Sequence, residues 1–181
     1  MKDFDEDEIV RLNLASIGWG QRLTTLFSQL ASLPNLQHLH LDLQRAPEWN
    51  CTILQELETQ LVKLKTLELV NWKPNFSLRL PHLVKLKVLG GERIQAGFGF
   101  FFTSNFLTDV ELSCKNDIHS PVVLPPTLRR LVLKDLTVPY DLSALQQLVE
   151  LRLEDETQDI HATLSSLSSV SHLQVLGIHD F

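Results

Sequence analysis

Three side chains at alternate positions, His38, His40 and Asp42, form the sharpest chemical constellation in the chain. On an extended segment, residues two apart point the same way. Two imidazoles and a carboxylate would then share one face, a set able to ligate zinc, with Glu68 as a further group from a neighbouring segment. Closed metal sites draw on clustered cysteines or another histidine in register, and neither accompanies this trio. The three are therefore expected to be solvated residues of a strand face, and no metal or other cofactor is expected.

Covalent chemistry has even less support. Cys114 stands beside Lys115, which could favour a thiolate, but no histidine lies in a recognisable frame with it. Ser, His and Asp all occur without a G-x-S-x-G elbow, an H-E-x-x-H pair or a Walker loop. No catalytic residue is expected, and the chain reads as a non-enzyme.

The segment holding the two histidines belongs to a repeat. Leucine makes up about a fifth of the residues, well above ordinary usage. A frame L-x-x-L-x-L, other aliphatics allowed, recurs at Ile9-Leu12-Leu14, Leu36-Leu39-Leu41, Leu64-Leu67-Leu69 and Leu83-Leu86-Val88. It continues at Leu107-Val110-Leu112, Leu128-Leu131-Leu133, Leu148-Leu151-Leu153 and Leu173-Leu176-Ile178. The last two anchors of each frame share one face of a strand, and the first sits at the turn into it. No such strand hides its apolar face alone, so successive coils must stack on a common core. Each buried anchor contributes on the order of 1.5–3 kcal/mol.

The frame resembles the leucine-rich-repeat family over nearly the whole chain. That resemblance implies an α/β solenoid, or horseshoe, with a parallel concave sheet of about eight short strands and an irregular convex side carrying a few helices. Residues 1–181 would form a single domain, expected to be part of a longer protein. One departure is visible. The Asn or Cys usual in the family three residues after the last strand anchor is replaced by Ile17, Gln44, Trp72, Gly91, Lys115, Leu136, Glu156 and Phe181. Backbone groups at that corner must find other partners.

Repeat length varies, and the longer repeats leave room for helices. Helical spacing predicts them over 19–33, 53–64 and 164–170, the second opened by a Thr52/Gln55 capping box. Pro81, Pro121, Pro125, Pro126 and Pro139 fit extended or turn connections in the shorter repeats. Irregular repeats of this kind resemble those of plant nucleotide-binding immune receptors and of F-box-type substrate receptors. Phrases such as Leu33-Pro34-Asn35-Leu36 and Leu124-Pro125-Pro126-Thr127-Leu128 carry the likeness.

Residues between the strand anchors are expected to line the concave face in rows. They include His38, His40 and Asp42, then Glu68, Lys85 with Lys87, Asp109 with Glu111, Arg130 with Lys134, and Glu150 with Arg152. From Glu68 onward the sign of charge mostly alternates between rows. Such a wall could dock a protein ligand, with charge setting specificity and on-rate. Equally, adjacent rows such as Lys85 and Asp109 could pair with each other and only keep the sheet soluble. Away from the face, Trp19 and Trp49 are expected as filler of uneven coils, and Trp72 as a candidate lateral contact. Phe98, Phe100, Phe101 and Phe102 cannot all point inward on an extended segment, so core and interface both remain open for them.

Bulk properties narrow the class further. A composition 44% hydrophobic and 21% charged fits a folded domain, and a net charge of -6 argues against a nucleic-acid surface. The acidic start Asp3 to Glu8 lacks the apolar stretch of a secretory signal, and no run approaches a membrane span. Two lone cysteines suit a reducing compartment. The expectation is a cytoplasmic or nuclear protein-binding scaffold, either an immune-receptor sensor or the substrate receptor of a ubiquitin ligase. A structural spacer is the alternative from another class.

Overall fold

The structure, a computed structural model, describes residues 11–14, 29–30, 32–33, 35–42, 61–71, 80–92, 104–115, 124–134, 141–154 and 160–179. Its strands are β1 (Arg11–Leu14), β2 (His38–Asp42), β3 (Thr66–Val70), β4 (Lys85–Glu92), β5 (Asp109–Lys115), β6 (Arg130–Lys134), β7 (Glu150–Glu154) and β8 (Val175–His179). They form one eight-stranded sheet in the order of the chain, and every adjacent pair is parallel. Consecutive parallel neighbours with no crossover define a solenoid: each coil adds one strand beside the last.

Register carries the argument from sequence to core. Leu12, Leu39, Leu67, Leu86, Val110, Leu131, Leu151 and Leu176 stand opposite one another in a single column. Leu14, Leu41, Leu69, Val88, Leu112, Leu133, Leu153 and Ile178 form the second. From β2 to β7 every member is buried. The first anchor of each frame, Leu36, Leu64, Leu83, Leu107, Leu128 and Leu148, is buried with them. One hydrophobic cluster runs through all of these coils.

The turns repeat as faithfully as the strands. The amide of the first anchor donates to the carbonyl three residues earlier: Leu36 to Leu33, Leu64 to Leu61, Leu83 to Leu80, Leu107 to Ser104, Leu128 to Pro125, Leu148 to Leu145, at 3.0–3.4 Å. That earlier residue is a further inward position, holding Leu61, Leu80, Leu145 and Val170. Ser104 takes the same place in the coil entering β5. Between coils a second ladder runs. The carbonyls of Gln37, Lys65, Val84, Thr108, Arg129 and Val149 each accept two consecutive amides of the next coil at 2.8–3.1 Å. Backbone groups that a lone strand would leave exposed are thereby satisfied.

The helices differ from expectation. Segment 53–64 does not end as a helix: Leu61 to Leu64 is a turn, because both leucines serve as core anchors of the coil entering β3. Gln29 and Leu30, inside the first expected helix, are helical. The third expected helix begins earlier, as α1 (Ile160–Ser165), and continues as a 3-10 helix over Ser166–Ser169. Its inward side uses Thr163, which is fully buried, and an aliphatic pattern overlooks that residue. Ser166 Oγ donates to the Thr163 carbonyl at 2.7 Å and accepts from the Leu142 amide at 3.0 Å, tying this coil to the one before. Among the described residues no helix is long and apolar enough to cross a membrane.

Candidate interaction face

Opposite the leucine columns, the sheet presents three columns of outward residues. From β2 on, the first reads His38, Thr66, Lys85, Asp109, Arg130, Glu150, Val175. The second reads His40, Glu68, Lys87, Glu111, Val132, Arg152, Gly177, and the third runs Asp42, Val70, Leu89, Ser113, Lys134, Glu154, with a register shift between Leu89 and Glu92. Thus His38, His40, Asp42, Glu68, Lys85, Lys87, Asp109, Glu111, Arg130, Lys134, Glu150 and Arg152 all lie on one wall, as alternation requires. Trp72, Trp19, Trp49 and Phe98 to Phe102 lie outside the described residues.

The charges on this wall bond to one another. His40 Nδ1 lies 3.1 Å from Glu68 Oε2, and Glu68 Oε1 is 3.5 Å from Lys87 Nζ. Lys87 reaches Glu111 at 3.8 Å, Glu111 meets Lys134 at 3.4 Å, and Lys134 meets Glu154 at 2.9 Å. One chain of ionic contacts therefore crosses from Glu68 on β3 to Glu154 on β7, with His40 of β2 against its first member. A shorter one joins Arg130 to Glu150 at 3.4 Å and Glu150 to Arg152 at 2.7 Å. Lys85 and Asp109, though in register, form no ion pair. Asp109 accepts instead from Thr108 Oγ1 at 3.0 Å, and Lys85 stands exposed.

The long chain changes column at β6 for a reason legible in the register. The second column there holds Val132, which has no charge to offer Glu111, so Lys134 of the third column reaches back to it. Val132 is outward-facing yet only 2% exposed. Its register neighbours are Glu111 and Arg152, with Arg130 and Lys134 flanking it along its own strand. Charged side chains with aliphatic stems cover apolar surface while their heads stay wet. The row-by-row reading of charges passed over Val132, although strict alternation from Leu131 and Leu133 places it on this wall.

Electrostatics follow the contacts. For Glu68, burial pushes the carboxyl upward and is the largest single influence. The hydrogen bond from His40, the Lys87 charge and the smaller contributions of both partners together outweigh it and hold the group below the usual carboxylate range. For Lys134, the Glu154 hydrogen bond leads. With the charges of Glu111 and Glu154 it overcomes partial burial and raises the ammonium above its ordinary value.

The metal question turns on His38, His40 and Asp42. Asp42 Oδ1 accepts from Asn71 Nδ2 at 2.9 Å, and His40 is engaged with Glu68. Among the described residues no group of three or more His, Cys, Asp or Glu is placed to hold a metal ion. Asn71 was not foreseen. It has a left-handed backbone, φ 56°, which asparagine tolerates better than most residues. That turn aims its amide at the Leu89 carbonyl, 2.8 Å away, while its side chain reaches Asp42. It bonds toward coils on both sides of its own, one residue before the position where the repeat pattern calls for Asn. No protein-family model matches the sequence, and comparison with curated proteins finds no similar one.

Proposed function

We propose that the chain is a leucine-rich-repeat recognition module that binds a protein ligand across the outward, concave face of its sheet. The observation that carries this reading is the in-register wall itself. On six strands, β2 to β7, charged or hydrogen-bonding side chains share one face, while their aliphatic alternates are committed to the core. A regular two-dimensional array of donors and acceptors suits recognition of an extended polar protein surface, with specificity set by charge order. Lys85, exposed and outside both ionic chains, is a cation of this wall open to a ligand's carboxylate. The parent system that fits best is an immune-receptor sensor, with the substrate-recognition part of an F-box-type ubiquitin ligase as the alternative.

A second reading is favoured by a specific observation: the wall's charges neutralise one another along two ionic chains. A structural spacer would need no more than that. The two readings separate in a quantitative capture experiment with the immobilised chain. Proteins retained by the wild type should be lost from Lys85→Glu and from the pair Asp109→Lys with Glu111→Lys. A change on the turn side, Gln146→Glu, should leave them in place. If both wall variants retain the same proteins in the same amounts, the wall is not the recognition surface.

A further inference from the structure

We propose that the turns leading into β3, β4 and β5 form a second binding surface, on the flank where the chain enters its strands, that takes an acidic protein segment bearing aliphatic or aromatic side chains. Its residues are Val62, Lys63, Lys65, His82, Val84 and Phe106. The turns themselves bring them together. In each coil two buried side chains three residues apart pin the turn to the core: Leu61 with Leu64, Leu80 with Leu83, Ser104 with Leu107. The six residues lie between or just after these pins, and all six are exposed. The Lys65 carbonyl accepts the amides of Val84 and Lys85 at 2.8 and 2.9 Å, and the Val84 carbonyl those of Thr108 and Asp109 at 2.9 and 3.1 Å, so the turns lie side by side. The rings of His82 and Phe106 meet across two coils, their centroids 5.8 Å apart. Neighbouring strands of a sheet stand about 4.8 Å apart, so the three turns span about 10 Å.

Two independent properties of this flank specify the occupant. One is apolar exposure. Apart from β8, Val62 at 44%, Val84 at 37% and Phe106 at 56% are the exposed large hydrophobic side chains among the described residues, and they fall on three consecutive coils. Scattered singly, such residues are ordinary; grouped, they mark a contact. The other property is charge. The chain holds 22 acidic against 16 basic residues. Yet among the described residues of the turns that enter β2 to β8, taken as the five positions before each strand, there is no Asp or Glu, while Lys63, Lys65 and Arg129 stand there. On the wall, Lys87, Arg130, Lys134 and Arg152 are each matched by a carboxylate; Lys63 and Lys65 form no ion pair among the described residues. A positive, partly apolar flank on a negative molecule is complementary to carboxylates interleaved with apolar side chains. Polyphosphate fits less well: two lysines over three coils offer few phosphate contacts, and the chain's net charge of -6 repels it. The flank shares no residue with the wall, so either surface can fail its test without the other.

Fluorescence anisotropy of short labelled peptides titrated with the full chain tests this. The probe peptide alternates Glu with Leu and Phe. One control peptide replaces every Glu by Gln, and another replaces every Leu and Phe by Ser. The probe should bind, more weakly in high salt, and both controls should bind about fivefold more weakly or worse. Lys63→Glu with Lys65→Glu, and separately Phe106→Ser, should each weaken the probe by about fivefold or more. Both variants change exposed side chains, and each serves if the other fails to fold. Ser168→Glu, on an exposed residue of the 3-10 helix before β8, should leave binding unchanged. No binding of the probe, equal binding of either control peptide, or undiminished binding by both flank variants overturns the proposal. A loss in Ser168→Glu as large as in the lysine variant also overturns it, because net charge rather than place would then govern. So does tighter, Lys63- and Lys65-dependent binding of single-stranded DNA or of phosphatidylserine vesicles, which would make the flank a nucleic-acid or membrane surface.

Discussion

His40 and Glu68 face each other across β2 and β3, Nδ1 to Oε2 at 3.1 Å, and Glu68 opens a line of ionic contacts that ends at Glu154 on β7. Each link alone is a partly exposed pair, worth about 0–1 kcal/mol. In a line, each side chain held by one neighbour is already ordered for the next. Lys87 sits between Glu68 and Glu111. Lys87→Glu would set three carboxylates side by side in one column. The expected result is a loss of about 1–2 kcal/mol in urea unfolding, recovered in part by high salt. A loss that salt leaves unchanged would point to packing rather than charge.

The same line predicts how stability follows pH. Glu68 is lowered in the folded state, so its contribution is present above about pH 4.3 and is lost as pH falls through the folded value. Lys134 is raised, so its contribution is present below about pH 10.4 and is lost as pH rises through its folded value. Glu68→Gln should flatten the acid limb of a stability-against-pH curve and leave the alkaline limb alone. Lys134→Met should do the reverse. Both effects are small because both side chains are partly wet, so matched curves of wild type and variant at low salt are needed. Identical acid limbs for wild type and Glu68→Gln would remove Glu68 from the account.

Val132 gives a sharper test, since its position and its burial point in opposite directions. Outward residues of a sheet commonly tolerate truncation within about 0.5 kcal/mol. Val132, at 2% exposure beneath a ring of charged side chains, should behave as core. Val132→Ala is expected to cost about 1.5–3 kcal/mol by thermal or urea unfolding. A change below about 0.5 kcal/mol would show that the ring does not seal the site.

How much of this was readable beforehand depends on whether a residue's role follows from period or from a single contact. The columns through Leu39, Leu67, Leu131 and Leu151 follow from period, and alternation put His40, Glu68, Lys87 and Glu111 on one wall. Which charges then pair was not readable. Lys85 and Asp109 are matched in register and do not pair, while Lys134 crosses a column to reach Glu111, because side-chain reach and local competitors decide. Thr163 and Ser104 were invisible for a different reason: each is a polar residue in an aliphatic position, and an aliphatic frame skips it. Asn71 lies one residue off the position that the repeat pattern watches, and only its φ of 56° reveals what it does.

Ser104 replaces an inward aliphatic with a hydroxyl, and the structure shows how that is tolerated. Its Oγ donates to the Leu83 carbonyl at 2.7 Å, lies 3.0 Å from the Pro81 carbonyl, and accepts from the Phe106 amide at 3.2 Å. A hydroxyl has one proton, so the two carbonyls share it. Ser104→Ala should destabilise by about 1–3 kcal/mol, since buried backbone groups lose their partner. Ser104→Leu, which restores the repeat's usual side chain, should do worse rather than better: it removes the same bonds and adds bulk to a site sized for serine. A more stable Ser104→Leu chain would mean that the hydroxyl is dispensable and the repeat rule dominates.

Asn71 separates two effects that one substitution would confound. Its left-handed backbone and its hydrogen bond to Asp42 are independent properties. Asn71→Gly keeps the first and loses the second, so only about 0.5–1.5 kcal/mol should disappear. Asn71→Ala loses both, adding the roughly 1–2 kcal/mol that a Cβ costs in this conformation. Asn71→Val should be worse still, because a β-branched residue at positive φ is a steric outlier. The expected order of unfolding midpoints is therefore wild type, Gly, Ala, Val. If Gly and Ala fell together, the turn would be relaxing to an ordinary conformation. The Asn71 amide would then leave the Leu89 carbonyl, and amide hydrogen exchange at residue 71 would reveal this directly.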